Sequence, residues 1–304
     1  MNGTKKDMKR FGKILLPVLA AALLMACASG ETQEIPETSQ DREVVIQPEE
    51  TEAPTETAPT EEPTDPPYEE IIRERLREGD YAGALEQIEA APWTEELERL
   101  SLRAHMGDVQ VGDRILLGHY EQDGIEENGP EEIEWVVLAV EEDRAFLLSL
   151  NSLASLPYHD VLDGKATWEE CTLRQWLNGE FLEAAFSLQE QSLLLETELV
   201  NEDNVRYWTP GGENTLDRVF LLSITEVQNY LTEDLYLAHV TPYAESNGCR
   251  RNYQKNGWWW LRSPGVYSRD AAYVDSLGQL SYYGYIVHRP GWSVRPALWV
   301  DLRV

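Results

Sequence analysis

The stretch from Ala28 to Pro67 limits where this chain can build a core. It consists largely of Glu, Thr and Pro, as in Glu52-Ala53-Pro54-Thr55-Glu56-Thr57-Ala58-Pro59-Thr60-Glu61-Glu62-Pro63, and has almost no large apolar side chains. Such a segment cannot bury enough surface to offset the entropy lost on ordering. Its prolines and mutually repelling carboxylates favour extended, polyproline II-like states. At about 3.1 Å per residue it reaches at most about 120 Å. It reads as a disordered linker, a spacer rather than a binding element. Folded structure is therefore expected only beyond residue 67.

Ahead of this linker, Lys5, Lys6, Lys9, Arg10 and Lys13 precede an apolar run from Ile14 to Ala26, interrupted only by Pro17. A spanning helix needs roughly 20 apolar residues, and this run is shorter. Its length suits the apolar region of an export signal. The run ends at Leu24-Met25-Ala26-Cys27. That ending resembles a bacterial lipobox, with Met25 the loosest fit. The resemblance implies a signal peptide over residues 1–27, diacylglyceryl modification of Cys27, and a chain exported and lipid-anchored to the outer face of the cell membrane. An ordinary cleaved signal or an uncleaved anchor is the alternative.

The whole chain has 25 basic and 55 acidic residues, a net charge of −30. Without the five basic residues of the signal and its Asp7, 20 basic and 54 acidic residues remain, near −34. Such a surface repels itself and suits no nucleic acid. It also disfavours an anionic bilayer, so the lipid would do the anchoring.

Residues 68–108 change character. Tyr68, Ile71, Ile72 and Leu76, then Tyr81, Leu85 and Ile88, recur at helical spacing, and a third run spans Thr94 to Met106. Gly79-Asp80-Tyr81-Ala82-Gly83-Ala84-Leu85 resembles the turn and second-helix opening of a tetratricopeptide-like hairpin. A single unit cannot form a solenoid. It reads as a small helical hairpin capping the next domain.

Residues 109–304 are long enough for one core of their own. Strands are expected over Val111–Tyr120, Ile133–Val140, Ala145–Leu150 and Val219–Leu222, the second and third forming a hairpin. Further strands are expected over Trp258–Leu261, Ala271–Asp275, Leu280–Val287 and Val294–Leu302. Thr167-x-x-Glu170, Ser187-x-x-Glu190 and Ser223-x-x-Glu226 have the spacing of capping boxes that open helices. Helices in the middle and strands at both ends predict an α+β domain.

Five segments carry a resemblance. They are Ile133-Glu134-Trp135-Val136-Val137-Leu138, Thr167-Trp168 with Leu173-Arg174-Gln175-Trp176-Leu177-Asn178, Arg218-Val219-Phe220-Leu221-Leu222-Ser223, Trp259-Trp260-Leu261-Arg262-Ser263-Pro264-Gly265, and Val294-Arg295-Pro296-Ala297-Leu298-Trp299. In this order they resemble an extracellular domain family common in Firmicutes, found on lipoproteins and other surface proteins. More distantly, Leu261–Gly265 and Ser293–Pro296 resemble the closing strands of the formylglycine-generating-enzyme branch of C-type-lectin-like folds. The fold implied is a C-type-lectin-like α+β domain. No activity is implied.

Within this domain the charge divides sharply. Residues 109–248 hold 6 basic and 28 acidic residues, whereas residues 249–304 hold 8 basic and 3 acidic. The basic segment is also rich in Tyr and Trp. Arginine over aromatic rings gains cation–π attraction, and both residue types are frequent at binding hot spots. Tyr267, Arg269, Tyr273, Tyr282, Tyr283, Tyr285, His288, Arg289 and Trp292 are the candidate ligand face. In lectin-like folds the stretch between the two closing motifs is the usual ligand-binding region, as the resemblance implies. Trp259, Trp260, Arg262, Arg295 and Trp299 belong to the motifs and are expected to be structural.

Other chemistry is less supported. Asp203, Asn204 and Asp217 could supply oxygen ligands to Ca²⁺, or belong to a solvated acidic loop. No other cofactor is indicated. Cys171 and Cys249 form an even pair in an oxidising compartment, so a disulfide is one reading and two separate buried thiols the other. Five scattered histidines give no His-x-x-x-His zinc pair, and no Gly-x-Ser-x-Gly elbow is present. The expected function is binding, not catalysis: recognition of an extracellular glycan, peptide or envelope polymer. An envelope-polymer hydrolase or modifying enzyme, and an assembly lipoprotein that docks a protein partner, are the alternatives.

Overall fold

A computed structural model describes residues 68–92, 94–161 and 166–303. The signal peptide, the lipidation site Cys27 and the linker to residue 67 lie outside the described residues. Among the described residues no helix is long and apolar enough to cross a membrane.

Three helices come first: α1 (Tyr68–Arg77), α2 (Tyr81–Ala90) and α3 (Glu95–Met106). Asp80 caps α2 through the Gly83 amide, and Thr94 caps α3 through the Leu97 amide. Ile72, Leu76, Ala84, Leu97, Leu100 and Ala104 meet in a small core of their own. Thus a third helix completes the expected hairpin, because one pair leaves an apolar face uncovered. The unit is tied to the rest by Arg103, which is buried and donates to the Asp301 carbonyl. Met106 joins the main core.

The main domain begins with β1 (Arg114–Tyr120), β2 (Glu131–Glu141), β3 (Arg144–Ser149) and β4 (Ala154–Ser155). A helical layer follows: α4 (Thr172–Trp176), a π turn at Leu177–Phe181, α5 (Leu182–Ala185) and α6 (Leu188–Leu193). Next are β5 (Thr197–Leu199), β6 (Thr215–Asp217), β7 (Val219–Phe220), α7 (Ile224–Tyr230) and α8 (Pro242–Ser246). The chain ends in β8 (Trp259–Pro264), β9 (Asp270–Val274), β10 (Leu280–Ile286), β11 (Ser293–Val294) and β12 (Ala297–Asp301). The architecture is mixed α+β.

One sheet has the order β1-β2-β3-β12-β7, the other β10-β9-β8-β11-β4, and β5-β6 form a separate pair. The expected hairpin forms, with Val140 opposite Ala145. The single strand expected over Val294–Leu302 does not. It breaks at Arg295-Pro296, and its halves, β11 and β12, join different sheets. Pro296 has no amide proton and restricts the residue before it, so a ladder cannot run through. The Pro296 carbonyl still accepts from Ser149.

Ser187/Glu190 and Ser223/Glu226 form reciprocal capping boxes. Thr167/Glu170 does not. Residues 168–170 turn, and Cys171 caps α4 instead. The turn lets Trp168 bury completely and donate to Asp217 at 2.8 Å.

The motif residues lie inside. Trp259, Trp260, Arg262, Arg295 and Trp299 are all buried. Arg262 forks onto Glu226, and its Nη1 also donates to the Leu221 carbonyl at 2.9 Å. Arg295 has no carboxylate partner among the described residues. It donates to the carbonyls of Ser149 and Leu235 and sits over the Trp259 ring at 5.1 Å. Trp299 stacks on Phe146 with ring centroids 4.7 Å apart.

Candidate aromatic recognition face

β10 is the edge strand of the second sheet. Gly284 interrupts its pairing with β9, at a φ of +78°. A Cβ there would fall 2.7 Å from the Ala271 carbonyl, so only glycine fits. Tyr283 and Tyr285, two residues apart on this edge strand, are both exposed. Tyr267 and Arg269, on the turn between β8 and β9, are also exposed.

A second segment completes this face from far away in sequence. The loop around Asn204–Thr209 closes on itself: the Asn204 amide donates to the Thr209 carbonyl at 2.9 Å, and the Trp208 amide to the Asn204 carbonyl at 2.8 Å. Asn204 is 1% exposed and acts as the anchor. Its Oδ1 accepts from the amides of Arg206 and Tyr207, and its Nδ2 donates to the carbonyls of Pro264 and Tyr282 at 2.7 and 2.9 Å. Thr209 adds a bond to the Val266 carbonyl at 3.0 Å.

This anchoring displays Arg206, Tyr207 and Trp208. Tyr207 meets Tyr283 edge-on with centroids 6.0 Å apart. The Arg206 guanidinium lies 3.6 Å from the Tyr282 ring centroid, and that of Arg269 5.5 Å from Tyr267. Trp208 is 79% exposed and held at φ 59°, a region that costs a non-glycine residue about 1–2 kcal/mol. Backbone strain of this kind persists only where the surroundings impose it, and it clusters at functional sites.

The face therefore differs from the nine expected residues. Tyr267, Arg269, Tyr283, Tyr285 and Arg289 are exposed, while Tyr273, Tyr282 and His288 are half-buried. Trp292 is a correction. Only 7% exposed, it stacks on Trp260 at 4.6 Å and is covered by Tyr273 and Tyr285. It is the floor under Tyr285 rather than a contact surface. Arg206, Tyr207 and Trp208 escaped sequence reasoning because they lie in the acidic part of the domain. The Tyr207-Trp208 pair beside Arg206 was the only local signal.

The calcium reading of Asp203, Asn204 and Asp217 is also corrected. Asn204 is consumed as the loop anchor. Asp217 is buried and accepts from Trp168, Arg174, Thr215 and Asn178. Asp203 accepts from the Gly211 amide. Three other carboxylates, Glu121, Asp123 and Glu131, bring oxygens within 4.8 Å of one another in the β1–β2 connection. They accept amide protons of that same turn, from Gln122, Asp123, Gly124 and Ile125.

The disulfide reading does not hold. Cys171 and Cys249 are free, buried thiols in separate apolar clusters. Burial pushes each thiol up to about 12. Neither is a reactive thiolate near neutral pH.

Clefts open elsewhere. One of about 410 Å³ lies beside Leu156, Thr172, Trp176 and Glu180. Another, of about 600 Å³, is lined by Glu141, Glu142, Asp143, Glu196 and Glu198, with Arg144 and Arg303 among them. Arg144 holds Glu141 at 2.6 Å, and Arg303 approaches Asp143 at 3.6 Å. No aromatic face residue lines either cleft.

Residues 142–302 match a family described as a domain of unknown function, DUF6273, and the chain belongs to that family. The match begins in the β2–β3 turn, takes in the aromatic face and both closing motifs, and ends just after β12. No curated protein and no solved structure matches the chain.

Proposed function

We propose that this chain is a lipid-anchored, extracytoplasmic binding protein that recognises a glycan, peptide or envelope polymer through the face carrying Trp208, Tyr207, Tyr267, Tyr283, Arg206 and Arg269. The observation that carries the reading is Trp208: a large aromatic held outward on a left-handed backbone by a loop whose anchor is fully buried. Exposing a tryptophan in this way gives folding nothing. Aromatic and Arg clusters are the usual energetic centres of binding surfaces.

The shape of the site favours binding over catalysis. The face residues do not line the clefts described, whereas small-molecule sites are concave and buried. An exposed aromatic surface suits an extended ligand. Lipid anchorage through Cys27 rests on the lipobox pattern. The C-type-lectin-like reading, and the likeness to a Firmicutes surface-protein family, rest on the order of the motifs. Two of those motifs fall on β8 and β11, which pair in parallel, Ser293 opposite Trp259.

The test is retention of the purified full chain on envelope preparations. Trp208→Ala and Tyr283→Ala should each lower retention severalfold without changing the thermal unfolding midpoint by more than a few degrees. Variants retained as well as the parent would remove this face from the function. For the anchor, Cys27→Ser should shift the chain from the membrane to the soluble fraction; a chain that stays membrane-bound would count against lipidation.

A further inference from the structure

The proposed face is basic on a strongly acidic chain. Arg206 and Arg269 are exposed, and neither makes an ion pair with a carboxylate among the described residues. Arg114, Arg144, Arg174, Arg251, Arg262 and Arg303 do, whereas Arg218, Arg250 and Arg289 also lack a carboxylate partner among the described residues. Arg206 and Arg269 differ from those three in their aromatic neighbours. Each lies against a tyrosine ring, Arg206 on Tyr282 and Arg269 on Tyr267. A ring contact orients the planar guanidinium and leaves its N–H edge free for a planar anion.

None of the carboxylates nearest in sequence forms an ion pair with these arginines, and Glu202 accepts from the Thr225 hydroxyl. Asp203 is turned to the Gly211 amide at 3.1 Å. Asp270 is buried beneath the face, and burial pushes its carboxyl above the usual range against the pull of Arg269. The surrounding acidic surface repels free polyanions over a Debye length of about 8 Å. An anionic ligand would therefore be favoured at this face over the acidic surface around it.

The edge of β10 argues against an added peptide strand. Its Tyr282 carbonyl is already taken by Asn204, and its ladder is interrupted at Gly284. Main-chain pairing is the affinity source for strand addition, and at this edge the run of groups is broken. The ring faces of Trp208 meet no aromatic or cationic partner among the described residues and remain available beside the exposed Tyr207, Tyr267 and Tyr283. Such faces stack on the C–H face of a sugar ring, while guanidiniums pair with acidic substituents.

Resting on the binding role proposed above, we infer that the ligand is an anionic glycan chain, with sugar rings stacked on Trp208 and the flanking tyrosines and acid groups held by Arg206 and Arg269. The experiment measures binding of the full chain to oligogalacturonate and to dextran sulfate, each against its neutral counterpart, methyl-esterified oligogalacturonate and dextran. At least one anionic form should bind about tenfold or more tighter than its counterpart, a gap that closes between about 50 mM and about 500 mM NaCl. Arg206→Gln and Arg269→Gln should reduce that gap severalfold, and Trp208→Ala should weaken both forms. If neither anionic form is preferred, the inference is overturned. If Trp208-dependent retention on whole envelopes survives such a result, the binding role stands and only the ligand class falls. If retention is independent of Trp208, both fall.

Discussion

The side-chain amide of Asn204 donates to the carbonyl of Tyr282 at 2.9 Å, across 78 residues of sequence. With its second bond, to the Pro264 carbonyl, it fastens the loop bearing Tyr207 and Trp208 to the edge strand bearing Tyr283. The proposed recognition face depends on this buried amide. Replacing it by Asn204→Ala would orphan two carbonyls and the amides of Arg206 and Tyr207. A buried polar group left unpaired costs about 1–3 kcal/mol. We expect Asn204→Ala to lower the unfolding free energy in urea by about 2–3 kcal/mol. Asn204→Asp, which cannot donate to either carbonyl, should be no better. An unchanged urea midpoint would refute the anchoring role.

Position 208 should reverse the ordinary ranking of alanine over glycine. At φ 59° alanine retains the steric cost of the left-handed region and glycine does not. Trp208→Gly should therefore be more stable than Trp208→Ala by about 1 kcal/mol, with ligand retention lowered severalfold in both. Thermal unfolding of the two variants side by side reads this directly. Equal stability would mean that the loop relaxes to another conformation.

Both described cysteines should be silent in the folded chain. In a Cys27→Ser background, Cys171 and Cys249 should resist a thiol-specific disulfide reagent at pH 8 and react fully once the chain is unfolded. Their titration also has a signed consequence. Burial raises each thiol from an ordinary value of 9 to about 12. Below pH 9 the thiols are protonated in both states and their contribution to stability is complete. Between pH 9 and 12 the unfolded chain releases these protons and the folded chain holds them, so stability falls with rising pH. Cys171→Ala should make that decline shallower; an unaltered slope would count against the burial argument.

Asp217 is predicted to be a structural carboxylate. It is 2% exposed and accepts from Trp168, Arg174, Thr215 and Asn178. Asp217→Asn would remove the charge facing Arg174 and turn an amide donor toward other donors. Losing one partner of a buried pair costs about 3–5 kcal/mol. Denaturant unfolding should show a loss of that order. A loss below about 1 kcal/mol would reopen this position to a ligand role.

Much of the scaffold was legible along the chain. The capping boxes at Ser187 and Ser223 open helices because their chemistry is local: a hydroxyl, a carboxylate three residues on, and the first free amides. Thr167 has the same spacing and fails, because burying Trp168 on Asp217, 49 residues away, outweighs one cap. The strand break at Arg295-Pro296 was written in the proline, but not the switch of sheet that follows it. Tyr267, Tyr283 and Tyr285 stood out by composition, and so did Trp292, which packs inward on Trp260.

Sequence alone determined the α+β character of the described chain and the motif tryptophans and arginines of its core. Those follow from hydrophobic content, periodicity and nearest-neighbour chemistry, all of which act over a few residues. Which aromatics face solvent together was decided by tertiary structure. Tyr207 and Trp208 lie in an acidic stretch about sixty residues before Tyr267 and reach its side only through the bonds of Asn204 and Thr209 to the sheet edge. Side-chain spacing along an element reports which side is buried. It carries no information about which distant loop a buried amide will fasten beside it.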